Sequence, residues 1–320
     1  MKKIDKRVEV GELVFTSKYA RTINGRKESW DEAVSRVMGM HYNYISTNIS
    51  AKVEFNNIFS KVWAAYSNQE ILGAQRALQF GGDQLLKHHT RMYNCSSSYA
   101  DRPRFFQELM YILLCGAGAG YSVQKVHVDK LPAIKEPTTD VPSKVFIIPD
   151  SIEGWADSIG ELVNSFFYGT EKVIFDFSEI RPKGAFISGG FKAPGHEPLK
   201  EALDKIREVL KSAVGRKLRS FEVHRIACLL ADAVISGGIR RSALLCLFDA
   251  FDEEMLTCKT GNWWHTNPEL ARSNNSAVIL PYTPKEVYKK VFKSSKEFGE
   301  PGFAFLKSPD FGYNPLIIAA

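Results

Sequence analysis

The feature that most constrains the fold is an apolar helix that runs through a glycine pair into an apolar strand, at residues 224–249 (HRIACLLADAVISGGIRRSALLCLFD). Its first half carries apolar residues at helical spacing. Gly237 and Gly238 permit backbone conformations that other residues avoid, so the helix is predicted to stop there. Residues 243–248 then form an apolar run short enough for a buried strand.

The two arginines that follow the glycines make this stretch a candidate phosphate site. Guanidinium groups form paired hydrogen bonds to phosphate oxygens, and glycine lets the backbone come close to a ligand. No complete phosphate-loop signature is present, however. A helix–strand turn with Arg240 and Arg241 solvated or in ion pairs would explain the same residues, so spacing alone leaves both interpretations open.

Composition narrows the class of protein. The chain has 320 residues, 44% of them hydrophobic, which is enough for a substantial core in one large domain or two. The net charge of +6 suits anionic small molecules such as nucleotides, but the Lys and Arg residues are too scattered to predict nucleic-acid binding. No run of about 18 apolar residues predicts a membrane span, and the first residues lack the apolar core of a signal peptide.

The five cysteines are odd in number and form no CxxC pair. This indicates reduced thiols in an intracellular protein and predicts no metal site. Cys95 follows an apolar–polar alternation, which predicts the end of a strand. Beside Asn94 and Ser96 its thiol could be a redox group that faces a ligand, although such a cysteine is more often a small buried hydrophobe. Cys115 is expected in the core.

The rest of the chain predicts a mainly helical region over residues 1–80 and alternating helices and strands beyond it, which indicates an α/β fold. Helices are expected from Trp30 to about Tyr44, over residues 57–67, 104–114 and 284–298, and after the N-cap Ser151. Residues 173–177 are predicted as a short buried strand, and residues 129–149 as an exposed excursion.

Two polar or glycine-rich stretches are candidates for a site. Residues 115–123 (CGAGAGYSV) follow a helix and precede a strand, the reverse of a dinucleotide fingerprint, so their glycines predict close approach of a ligand or another strand instead. Asn274 and Asn275 stand at the mouth of an apolar run, where they could line a polar site or form an ordinary turn.

Taken in order, the motifs resemble those of the large catalytic subunit of ribonucleotide reductases, and most of all the adenosylcobalamin-dependent class. They are RALQFGG, MYNCSSSY, GAGAGYSV, DSIEGWADS, FDFSEIRPKGA, GGIRRSA, RSNNSAV, GEPGF and GYNP. The resemblance implies an N-terminal helical region over residues 1–80 and the first half of a ten-stranded α/β barrel over residues 81–315. Residues 316–320 fall outside the family pattern. A class I, iron-dependent large subunit and a non-catalytic nucleotide-binding half of a split reductase are the alternatives.

The resemblance also implies roles for individual residues. Cys95 matches the first of two cysteines whose dithiol reduces the ribose 2′ position, and Asn314 matches the finger-loop asparagine that hydrogen-bonds the ribose. The flexible loop that links a nucleotide effector to substrate choice matches Gly237, Gly238, Ile239, Arg240, Arg241 and Ser242. Further residues that could line the substrate site are Asn94, Ser96, Gly118, Gly120, Asn274 and Asn275.

The family likeness implies ligands and partners as well. They are adenosylcobalamin, a ribonucleoside di- or triphosphate substrate, a dNTP or ATP effector, and the C-terminal half of the barrel. No membrane or nucleic-acid partner is expected. The expected location is the cytoplasm, either of a bacterium or, if the gene is phage-encoded, of its host.

The family pattern is lost after Pro315. Leu316 stands where the family has the radical cysteine, and Ile318 where it has an acid/base glutamate. The chain as written is therefore expected not to reduce ribonucleotides alone. Read-through past an exon or intein boundary is the favoured explanation, and a split enzyme is the other. An isolated half-barrel is expected to expose an apolar sheet edge and to associate with itself.

Overall fold

The computed structural model describes residues 6–23, 25–187, 191–235 and 243–315. The chain divides into two compact units, residues 1–94 with 186–191, and residues 95–185 with 192–320. Within the described residues, none of the helices combines the length and the apolar content needed to span a bilayer.

The first unit is mainly helical, as the sequence predicts. Its elements are α1 (Lys6–Lys18), β1 (Thr22–Ile23), β2 (Arg26–Lys27), α2 (Trp30–Ser46), α3 (Lys52–Ser67), α4 (Gln75–Phe80), α5 (Asp83–Lys87) and a 3-10 helix (His89–Met92). Helix α2 begins after Ser29, whose side chain and that of Glu32 form a reciprocal capping box. The buried face of α2, with Val34 and Val37, packs with Phe59 of α3 in a small apolar core.

The second unit alternates strands and helices. The elements from residue 95 onward are, in chain order, β3 (Cys95–Tyr99), α6 (Arg104–Leu114), β4 (Gly118–Ser122), α7 (Lys125–Val128), β5 (Lys144–Ile147), α8 (Ile152–Tyr168), β6 (Val173–Asp176), β7 (Phe186–Ile187), β8 (Phe191–Lys192), α9 (Glu197–Ser212), α10 (Ser220–Ile235), β9 (Leu244–Asp249), α11 (Glu253–Thr257), α12 (Trp263–Thr266), a 3-10 helix (Pro268–Arg272), β10 (Ser273–Ile279), α13 (Lys285–Phe298) and β11 (Gly302–Phe305). Of these, β7 and Phe191 of β8 belong to the first unit.

Five strands form one sheet in the order β11-β10-β9-β4-β3, and every neighbouring pair is parallel. Parallel strands need crossovers, which here carry helices, so one face of the sheet is buried beneath them. That helix-covered face includes Tyr121, Cys246 and Phe248, which pack with side chains of α6, α8 and α10. An α/β half-barrel is therefore confirmed.

The opposite face of the sheet, which we call the inner face, carries the alternate residues. The strand registers place on it Cys95, Ser97, Tyr99, Gly118, Gly120, Ser122, Leu245, Leu247, Asn274, Val278 and Ala304. A second apolar cluster lies there, in which Leu245, Leu247 and Val278 pack with Tyr313. The inner face therefore has an apolar cluster on β9–β11, beside the polar Asn274, and glycines and polar groups on β3 and β4.

Three local predictions were wrong. Cys95 begins a strand and does not end one, because the residues before it form a 3-10 helix and a turn. Strand β6 pairs only with β5, in a separate sheet of two strands, and its Ile174 is 49% exposed. The excursion over residues 129–149 contains β5, and its Leu131 and Ile148 are fully buried, because these apolar side chains pack into the core of the unit.

Candidate active site

Cys95 lies half-buried at the amino end of β3 on the inner face, and its register partner on β4 is Gly118. A β-carbon added at Gly118 would lie 3.1 Å from Sγ of Cys95 and 3.3 Å from Cγ of Pro315. The thiol and Pro315 therefore converge on one point of the sheet, and only a glycine on β4 leaves room for both.

Gly120 leaves room for a chain segment that crosses the sheet. A β-carbon there would lie 1.7 Å from the carbonyl oxygen of Tyr313 and 3.1 Å from Cα of Asn314. The backbone of residues 313–314 thus crosses directly over β4. The GAGAG motif allows a close approach, as predicted, and the partner here is a segment of the same chain outside the strands. Contact of these glycines with a ligand stays a prediction.

The half-buried Asn314 is brought by this crossing to the part of the inner face that holds Cys95. A thiol can supply a hydrogen atom or an electron and a proton, and an amide can both donate to and accept from a hydroxyl group. These groups together suit reduction of a hydroxylated substrate.

The other four cysteines differ from Cys95 in their surroundings. Cys115, Cys228 and Cys246 are fully buried, and burial raises the pKa of the latter two thiols. Burial also raises the pKa of Cys258 to about 12. Because the thiolate is the reactive form, Cys228, Cys246 and Cys258 stay mainly protonated at neutral pH and react slowly. Cys95 is the cysteine that the register places on the inner face.

Of the other predicted lining residues, Asn274 lies on the inner face, exposed, two strands away from Gly120. Ser96 and Asn275 lie on the opposite, helix-covered face, because side chains alternate along a strand. Ser96 donates its hydroxyl hydrogen bond to the carbonyl of Gly118 at 3.3 Å. Asn275 is 3% exposed and donates to Sγ of Cys258 at 3.4 Å.

Asn94 is the last residue of the first unit, where its Oδ1 accepts a hydrogen bond of 2.7 Å from Nε of Arg76. The predicted effector loop lies outside the described residues. It comprises Gly237, Gly238, Ile239, Arg240, Arg241 and Ser242.

Sequence reasoning missed a polar cluster where β3 and β4 end. Ser122, Gln124 and His127 are buried there, at 1%, 0% and 1% exposure. Asp249, at the end of β9, accepts a hydrogen bond of 2.6 Å from the backbone N–H of Lys125, and burial raises the pKa of its carboxyl group. The signal was available, because polar residues that directly follow a parallel strand meet at the carboxyl edge of its sheet.

Helix α10 packs in the main core, and at the described positions its role is structural. His224 is fully buried, its Nδ1 lies 2.8 Å from the hydroxyl of Tyr121, and burial lowers its pKa to about 3. The imidazole is therefore neutral and lies on the helix-covered face, away from Cys95.

Comparison with known proteins shows which family the chain resembles. Residues 118–210 match the insertion domain of B12-dependent ribonucleotide reductase. The chain is 28% identical, over 93% of its length, to a probable adenosylcobalamin-dependent ribonucleoside-triphosphate reductase of Dictyostelium discoideum, and covers 43% of that protein. It is 25% identical to the adenosylcobalamin-dependent ribonucleoside-triphosphate reductase of Lactobacillus leichmannii over 93% of its length, and covers 48% of it.

A solved B12-dependent (class II) ribonucleotide reductase has the same fold. It superposes with a TM-score of 0.79 at 22% sequence identity, over 95% of this chain and 51% of that structure. The chain thus spans about half the length of the relatives it matches. In sequence and in fold, the chain is similar over most of its length to the amino-terminal part of the adenosylcobalamin-dependent, class II ribonucleotide reductases.

Proposed function

We propose that this chain provides the helical unit and the first half-barrel of a ribonucleotide reductase that acts on ribonucleoside triphosphates. The observation that carries the proposal is that the thiol of Cys95 lies against Gly118 of β4 while the backbone of Asn314 lies against Gly120 of the same strand. The substrate class follows the names of the relatives, which are ribonucleoside-triphosphate reductases. The rest of the barrel is the proposed partner.

In this proposal Asn314 hydrogen-bonds the ribose hydroxyls and Cys95 is one half of a dithiol. The 2′ hydroxyl leaves as water. Two thiols give up two electrons and two protons and become a disulfide, so that the C2′–O bond is replaced by a C2′–H bond. The second thiol and the radical-bearing cysteine come from the part of the protein that completes the barrel. The half-barrel contributes positioning and the exclusion of water.

The relatives are adenosylcobalamin-dependent by name, and we propose the same cofactor for the completed enzyme. The candidate site by itself does not fit it. His127, which follows β4, and His224, which contacts Tyr121 of β4, are 1% and 0% exposed, so neither could reach the cobalt of a large corrin ring. The groups that bind the cofactor are therefore proposed to lie outside these residues.

Two finer assignments belong to the same proposal. A dNTP or ATP effector would act through residues 237–242, where glycines and arginines suit contact with phosphate. The cytoplasm is the proposed location, since five cysteines, odd in number and without a CxxC pair, indicate reduced thiols.

The test uses protection of Cys95 in the full chain. Ribonucleoside triphosphates are added at increasing concentration, and alkylation of each cysteine by iodoacetamide is followed by peptide mass spectrometry. We expect protection of Cys95 with no change at Cys258. The variant Asn314→Ala should raise the concentration for half-protection about five- to tenfold, which corresponds to the loss of a hydrogen bond of about 1–1.5 kcal/mol.

The matched control is Asn267→Ala, since Asn267 lies at the end of α12 and donates to Thr266. It should leave half-protection unchanged. Alkylation of Cys95 that no triphosphate slows, or that inorganic triphosphate slows equally, would contradict a nucleoside site at this face.

A further inference from the structure

The polar cluster at the carboxyl ends of β3 and β4 has no part in the function proposed above. We call Tyr99, Ser122, Gln124 and His127 the carboxyl-end cluster. It lies at the end of the inner face away from Cys95, since Cys95 and Gly118 open the strands that Tyr99 and Ser122 close. A buried cluster of polar side chains is expensive to desolvate and calls for a physical reason.

The cluster binds the backbone of the segment that carries Asn314. Nε2 of Gln124 donates a hydrogen bond of 3.2 Å to the carbonyl of Pro309. The hydroxyl of Tyr99 donates to the carbonyl of Asp310. Nε2 of His127 lies 3.7 Å from Oδ1 of Asp310. Three side chains, one from β3 and two from the residues that follow β4, therefore contact the consecutive residues Pro309 and Asp310.

The hydrogen bonds inside the cluster fix the position of each proton. Oγ of Ser122 accepts from the backbone N–H of Gln124 at 3.2 Å and from its Nε2 at 3.0 Å. Because a hydroxyl has one proton and two lone pairs, Ser122 must donate to Nδ1 of His127, 2.8 Å away. His127 is then the neutral tautomer with its proton on Nε2, which faces Asp310.

Packing and burial support the same arrangement. The ring of Tyr99 lies against the imidazole of His127 with centroids 4.4 Å apart. Burial is the main cause of the lowered pKa of His127, which favours the neutral form. Oε1 of Gln124 has no hydrogen-bond partner among the residues described. An apolar side chain would avoid that cost, so the amide is better explained by what its Nε2 holds.

We propose that Gln124, with Ser122, His127 and Tyr99, is a positioning set that fixes residues 309–314 on the inner face and so determines where Asn314 lies. The segment runs antiparallel to β4, because residues 309–310 contact its carboxyl end, residues 313–314 cross Gly120 and Pro315 reaches Gly118. Only residues 311 and 312 separate the two fixed points. The proposed function enters only in what Asn314 is positioned for.

Hydrogen–deuterium exchange on the full chain without nucleotide tests the proposal. In Gln124→Leu, peptides covering residues 307–315 should exchange about five- to tenfold faster, as expected for the loss of a hydrogen bond of about 1–1.5 kcal/mol. Peptides of α8 and α10 should be unchanged. The matched control is Gln107→Leu, because Gln107 donates to Asp157 between α6 and α8 and not to the segment.

A second pair of variants tests whether His127 acts through its hydrogen bond or only by filling space. His127→Asn keeps a polar atom that can accept from Ser122 and should retain most of the protection of residues 307–315, whereas His127→Leu should lose it. If Gln124→Leu does not fold, Tyr99→Phe removes only the hydroxyl that donates to Asp310 and takes its place in the comparison.

The proposal would be overturned if residues 307–315 exchanged at an unchanged rate in Gln124→Leu, or in Tyr99→Phe where that variant takes its place. It would also be overturned if these residues exchanged equally fast in the two His127 variants. The measurement needs no substrate, so its failure is distinguishable from failure of the nucleotide-protection test. Where both hold, Gln124→Leu should also raise the nucleotide concentration that half-protects Cys95.

Discussion

At the residue scale, the site depends on two glycines, which have no side chain, as much as on the residues that carry functional groups. Gly118 leaves room for the thiol of Cys95, and Gly120 leaves room for the backbone of Tyr313. A methyl group added at Gly118 would contact different neighbours from one added at Gly120. At Gly118 the neighbours are the ends of side chains and a carbonyl at 3.1–3.3 Å, whereas at Gly120 it is a carbonyl oxygen at 1.7 Å that no rotamer change can move away.

Gly120→Ala should therefore destabilise the second unit by about 1–3 kcal/mol, the range for overpacking of a filled site. The measurement is urea unfolding of the full chain, followed by tryptophan fluorescence. Gly39→Ala in α2 is the control, since a β-carbon there meets nothing within 4 Å, and helix propensity predicts a gain of up to about 1 kcal/mol. Equal stability of Gly120→Ala and the parent chain would contradict the crossing of residues 313–314 over β4.

At the element scale, local signals predicted the helices well and the positions of strands less well. Periodicity gave α6 with the bounds Arg104–Leu114, and Ser151 caps α8 by accepting from the N–H of Gly154 at 2.9 Å. Strand β6 looked like a core strand because it is apolar, but whether a strand joins the main sheet depends on pairing with residues far away in sequence. The same limit hid what the carboxyl-end cluster binds, because its contacts with residues 309–310 join positions that are far apart in sequence.

The cap of α8 gives a prediction at this scale. Ser151→Ala should lower the free energy of unfolding by about 1 kcal/mol, because the N–H of Gly154 loses its acceptor. The loss should be cooperative, since α8 packs Trp155, Ile159 and Phe166 into the main core. Urea unfolding measures it, with the exposed Ser60→Ala in α3 as the matched serine control. A Ser151→Ala midpoint equal to that of the control would show that the cap contributes nothing.

At the scale of the whole molecule, the second unit is a parallel sheet with helices on one face and a chain segment on the other. Strand β11 ends the sheet, and its Phe305 is 61% exposed, so association at this edge stays a prediction. The helix-covered face buries an imidazole as well as hydrocarbon. His224 lies beneath the sheet with its pKa lowered to about 3 by burial, while His127 on the inner face also has a lowered pKa.

These two histidines predict that acid destabilises the fold well before the carboxylates protonate. The unfolded chain takes up a proton on each imidazole near pH 6.5, whereas folded His224 stays neutral down to about 3. The stabilisation is thus complete above about pH 6.5 and falls by about 1.4 kcal/mol per pH unit for His224 as the pH decreases below that value. Urea unfolding between about pH 7 and pH 5 measures the slope. His224→Gln should remove most of it, and the exposed His265→Gln should not. A free energy of unfolding independent of pH over this range would mean that His224 is protonated, or exposed, in the folded chain.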